Sequence, residues 1–97
     1  MYNSSMSYSW DEVKRESNLQ KHRLDFRDAH LVFAGLTLTF EDDRFEYSEQ
    51  RFITIGLLSG EFVVIAHAEE SEETTRIISM RKATKYEETI FFKAFGN

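Results

Sequence analysis

Apolar and polar positions keep one period along this chain up to Leu36 and another beyond it. Before the switch, Phe26, Ala29, Val32 and Phe33 recur at helical spacing, which gathers them on one side of a short helix. After it, LTLTF alternates apolar residues with Thr, while RFITIGLL and EFVVIAHA are rich in the β-branched and aromatic residues that suit strands. Leu58-Ser59-Gly60-Glu61 joins those two runs as a tight hairpin, and RIISM supplies a fourth strand after the polar connection EESEETT.

Capping residues mark the helix boundaries. In Ser9-Trp10-Asp11-Glu12 the serine hydroxyl can accept from an orphan amide while Glu12 reaches back, which opens a helix from Trp10 to about Lys21. Asp25 caps a second helix through Phe33, and Ala34-Gly35 ends it. Thr84-Lys85-Tyr86-Glu87 is another capping box and opens a terminal helix through about Phe95. The links between the last three strands are too short to demand parallel pairing. The pattern therefore predicts an α+β fold: two N-terminal helices, a four-stranded antiparallel sheet, and a C-terminal helix, with the helices on one face.

Composition narrows the chemistry. The chain of 97 residues makes a single domain over residues 8–97, preceded by a small, polar, flexible leader over residues 1–7. There is no cysteine, which excludes thiol catalysis, cysteine-based zinc sites and disulfides. The apolar runs are too short to span a bilayer and the first residues do not read as a secretory signal, so the expected compartment is the cytoplasm.

The formal net charge is −5, which at first argues against a nucleic-acid partner. The charges are segregated, however. Glu41, Asp42, Asp43, Glu46 and Glu49 against Arg44 leave −4 in one patch, and Glu69, Glu70, Glu72 and Glu73 leave −4 in another. Arg76, Arg81, Lys82, Lys85 and Lys93 outweigh Glu87 and Glu88 by +3 around the last strand. A local basic surface is thus compatible with an acidic total.

That surface centres on RIISMRKAT, Arg76 to Thr84. Guanidinium presents a rigid fork that matches phosphate oxygens, so Arg76 and Arg81 are the first candidates for holding phosphate. Five positions apart, they fall on opposite faces of a regular strand unless it ends or bulges between them. His67 shares the parity of Val63 and Ile65 and reads either as a structural residue at the sheet margin or as a proton carrier. Glu49 and Arg51 point the same way, as a base with a phosphate clamp or as a tie between strand ends. Lys21 and His22 close the first helix, where cations suit the dipole. Lys82 and Lys85 are secondary electrostatic contacts, and His30 reads as a surface residue. Adjacent aspartates Asp42-Asp43 read as turn caps rather than metal ligands.

WDEVKRESNLQKH (Trp10–His22), Phe26 with Ala29 and Val32-Phe33, Asp42-Asp43, Glu49-x-Arg51, Gly56 and RIIS-x-R-x-AT occur in an order that resembles the BrnT family of ribonuclease toxins, over about Tyr8 to Tyr86. The resemblance implies a RelE-like fold and the toxin half of a type II toxin-antitoxin module, an endoribonuclease that needs no metal or other cofactor. It also implies a cognate BrnA-like ribbon-helix-helix antitoxin, contact with DNA only through that antitoxin, and a dimer or 2:2 toxin-antitoxin assembly. On this reading Arg76, Arg81, His67, Glu49 and Arg51 carry catalysis, and Lys21, His22, Lys82 and Lys85 bind RNA. The family commonly carries glycine where this chain has Arg23 and Ser48, and a charged tail where this chain has TIFFKAF. Two alternatives follow from those departures: a catalytically inactive antitoxin-binding co-repressor, or a protein-interaction module using the Phe-rich tail.

Overall fold

The computed structural model describes residues 6–96. Its strands are β1 (Ser7–Trp10), β2 (Leu38–Glu41), β3 (Phe52–Leu58), β4 (Glu61–Ser71) and β5 (Thr74–Lys82). Its helices are α1 (Glu12–His22), α2 (Ala29–Phe33) and α3 (Lys85–Phe95), with a 3-10 turn, Phe26–Asp28, leading into α2. The strands form one mixed sheet in the order β1-β5-β4-β3-β2. The antiparallel pairing of β2 to β5 and the hairpin at Ser59-Gly60 follow the sequence reading.

Three features correct it. A fifth strand, β1, pairs parallel with β5, with Ser9 opposite Arg76 and Trp10 opposite Ile77. Ser9 is therefore strand, its hydroxyl donating to Glu70, and the cap of α1 is Asp11, which accepts from the Lys14 amide at 3.1 Å. A parallel pair needs a long crossover, here everything from α1 to β4, and no local window reveals its partner. The second correction concerns EESEETT, which is mostly strand: β4 runs to Ser71 and only Glu72-Glu73 turn before β5. Of the expected leader, residues 1–5 lie outside the described residues, and Ser7 begins β1.

The third correction is that helices cover both faces of the sheet. Val63 and Ile65 of β4 face a core with Phe26, Ala29, Val32, Ile77 and Met80, beneath the N-terminal helices. Val64 faces the other way, packing with Ile55 and with Phe91 of α3. Gly56 of β3 is required by close approach: a Cβ there would sit 2.7 Å from Val32 Cγ1 of α2.

Two local devices position the region around β5. The pairing of β4 with β5 steps from Ala66–Ser79 to His67–Ile77, so Ile78 is an extra residue, a β-bulge. Arg76 then lies opposite Ala68 and Arg81 opposite Val64, and those partners share one face of β4. The bulge brings Arg76 and Arg81 onto the same face, the one partly covered by α3. In the second device, β1 pairs β5 only as far as Ile77, and the edge beyond is closed by the Asn18 side chain. Asn18 Nδ2 donates to the carbonyl oxygens of Met80 (2.9 Å) and Leu24 (3.1 Å), and its Oδ1 accepts from the Met80 amide at 3.2 Å. The last turn of α1 is thereby fixed against the end of β5.

Candidate active site

Arg81 is the centre of the arrangement. Its Nη1 and Nη2 donate to the two carboxylate oxygens of Glu87 at 2.8 and 2.7 Å, a bidentate pair. Glu87 Oε1 also accepts from the Thr84 amide at 2.8 Å, so the capping box of α3 and the arginine share one carboxylate. The guanidinium and these amide and hydroxyl contacts pull the Glu87 carboxyl down to about 2. Arg81 remains 39% exposed, so one side of its fork can meet a ligand.

The same guanidinium lines an open depression with Lys21, His22, Lys82 and Thr84. Helical spacing explains the meeting: Lys21 and His22 follow Asn18 by three and four residues, on the side of α1 that Asn18 holds to β5. Exposed Lys82 has its Nζ 3.6 Å from Glu61. Four of the expected residues are thus gathered at one place.

A second group lies farther along the face. Arg76 Nη2 donates to Glu49 Oε2, and Arg51 Nε stands 3.6 Å from that same oxygen. Arg76 chiefly, with a smaller contribution from Arg51, holds the Glu49 carboxyl below its usual range. Arg51 also lies over the Tyr47 ring at 4.2 Å. The loop carrying these residues is organised by buried Asp42, which accepts from Arg44 Nε (2.8 Å), Arg44 Nη2 (3.0 Å) and Tyr47 Oη (3.0 Å). Those bonds, Arg44 first, lower the Asp42 carboxyl to about 2. The separation of Ala68 from Val64 on β4 implies that the Arg76 and Arg81 backbones are about 13 Å apart.

His67 belongs to neither group. It is 3% exposed on the opposite face, between the rings of Phe33 and Phe52, with Nε2 2.7 Å from Thr54 Oγ1. Burial pushes its imidazole down to about 4. The expectation of a proton carrier there is corrected by parity itself: the bulge moves the arginines and leaves His67 with Val63 and Ile65. Lys85, exposed in the first turn of α3, does not line the depression, and His30 is exposed with Nδ1 2.9 Å from the Arg27 carbonyl.

The sequence model described as "Ribonuclease toxin, BrnT, of type II toxin-antitoxin system" matches residues 10–87. The chain belongs to the BrnT family. Its fold matches the crystal structure of the Brucella abortus ribonuclease toxin BrnT with a TM-score of 0.67 and 32% sequence identity, covering 82% of this chain and 99% of that chain. A sequence search of curated proteins returns no match. Among the described residues no helix is long and apolar enough to cross a membrane.

Against the BrnT pattern, the two replaced glycines behave differently. Arg23 caps α1 in the left-handed region, φ 62°, where glycine is at home, whereas Ser48 has no positive φ. The family match ends at Glu87, in the first turn of α3. Beyond it Phe91 is buried while Phe92 and Phe95 are exposed, as their angular spacing requires. Glu87, Asn18 and Tyr47 are the residues whose roles the sequence reading lacked. The Thr84–Glu87 capping box was a signal for the first of them, since it brings the carboxylate back to the end of β5.

Proposed function

We propose that this BrnT-family toxin is a metal-independent endoribonuclease whose reaction centre is the depression around Arg81. The observation that carries this reading is one exposed guanidinium ringed by Lys21, His22 and Lys82, with a carboxylate bonded to it. Cleavage by the 2′-hydroxyl requires removal of its proton, stabilisation of the charged phosphorane, and a proton for the departing 5′-oxygen. Arg81 supplies the charge, with Lys21 and Lys82 steering the backbone. His22 is the proton carrier in reach, in the part first expected of His67. Attack of the 2′-oxygen on phosphorus then leaves a 2′,3′-cyclic phosphate on one fragment and a 5′-hydroxyl on the other.

Arg76, Glu49 and Arg51 extend the phosphate track along the same face. Arg76→Ala is expected to relieve growth inhibition without loss of folding. In a BrnT module the toxin is held inactive by its antitoxin, and a BrnA-like ribbon-helix-helix protein is the cognate partner we expect. RNA incubated with purified protein and a chelator tests the enzyme reading. Wild-type protein should cleave; Arg81→Ala should be slower by about a hundredfold or more, with unchanged circular dichroism. Full activity in that variant removes Arg81 from the centre, and loss of cleavage on chelation refutes metal independence.

The inactive co-repressor remains as a second reading because both arginine forks are already engaged by glutamates. It predicts no cleavage even at several-fold excess of protein.

A further inference from the structure

Arg81 also forms a wall of a second, differently built pocket. Between the loop after β2 and the start of α3 lies a cavity of about 300 Å³ with Phe40, Ile53, Tyr86 and Ile90 as its apolar surfaces. Arg44 reaches the same space from the loop side. Asp42 and Glu87 in the lining are already bonded to Arg44 and Arg81, so a partly apolar surface with two aromatic side chains beside a phosphate-competent guanidinium has the chemistry of a nucleotide rather than of a bare anion. Phosphate alone has no use for Phe40 and Tyr86, and an apolar ligand has no use for Arg81.

We propose that this pocket takes the nucleobase of the nucleotide whose phosphate sits on Arg81, so that it is a base-binding subsite beside the scissile linkage. The inference rests on the ribonuclease reading and adds to it where sequence preference is set. The base lies against the ring of Tyr86 or Phe40, with Ile53 and Ile90 beneath it. Tyr86 is the informative side chain because it is 74% exposed. The Asp43 and Glu41 carboxylates in the lining are acceptors, which favours a base presenting amino or imino donors at its edge.

The test is calorimetric titration of the intact protein with ribose 3-phosphate and with the four nucleoside 3′-monophosphates. Nucleotides should bind at least about fivefold more tightly than ribose phosphate, and Tyr86→Ala should remove roughly fivefold to a hundredfold of nucleotide affinity while leaving ribose phosphate unchanged. Phe40→Leu, which keeps the apolar contact on β2, should shrink the same margin. Equal affinity for ribose phosphate and nucleotides, or a Tyr86→Ala protein indistinguishable from wild type, overturns the base subsite and leaves the catalytic reading standing. If wild-type protein binds neither ligand, the base subsite falls, and cleavage of RNA in chelator decides the ribonuclease reading separately.

Discussion

At the residue scale, the side chains with the most exacting surroundings are not the ones proposed to meet RNA. Asn18 completes the hydrogen bonding of Met80 at a strand edge beyond the end of the β1 pairing. Asn18→Ala leaves a buried amide and carbonyl unpaired and should cost about 1–3 kcal/mol in urea unfolding, with Lys21 and His22 losing their fixed approach to Arg81. Arg23 holds a conformation that disfavours side chains, so Arg23→Gly should raise stability by up to about 1 kcal/mol, read as a higher urea midpoint. Of the nine positions first proposed for the site, the placing of Lys21 and His22 at a helix end and of Arg81 and Lys82 at a strand end was legible because both are local events. The burial of His67 was not legible, because its type suggests proton transfer while the Phe33 and Phe52 rings that enclose it come from distant segments.

At the element scale, the capping residues of α3 and the β3–β4 hairpin were readable since their partners are within a few residues. β1 was not, because its partner is more than sixty positions away, and Ser9 offered a plausible but unused cap in competition with Asp11. The seating of α2 on β3 depends on the missing Cβ of Gly56. Gly56→Ala should cost about 1–3 kcal/mol by chemical denaturation, and Val32→Ala in the same chain should return part of that loss. Independent, additive effects of the two changes would show that the contact does not set the helix position.

At the scale of the whole molecule, acid should act in two stages. His67 titrates at about 4 in the fold against an ordinary 6.5. The unfolded chain therefore binds the proton first, and roughly 3 kcal/mol present above pH 6.5 is lost as pH falls toward 4. Glu87 and Asp42, each lowered to about 2, lose their contribution below that range, as pH falls from the ordinary carboxylate values toward 2. Urea midpoints measured between pH 7 and 4.5 should drop for wild type and stay flatter for His67→Gln. Equal slopes would mean that His67 is not the group responsible. Charge segregation gives a second global expectation: if Lys21, Arg81 and Lys82 with Arg76 and Arg51 make the proposed phosphate track, log affinity for single-stranded RNA should fall against log salt with a slope of about two to three and a half. A much steeper slope would place many more cations on the RNA.

The extra residue at Ile78 acts as a half-twist inserted into β5. Straightening the strand with that residue retained, so that Ile78 came opposite His67, would turn the upstream segment over, driving a guanidinium toward the core face and Ile77 onto the face of Val64. Spacing in this strand is therefore a matter of phase as well as of length: loss of the bulge without loss of the residue threatens both the candidate site and the core, though it removes no charged group from the chain.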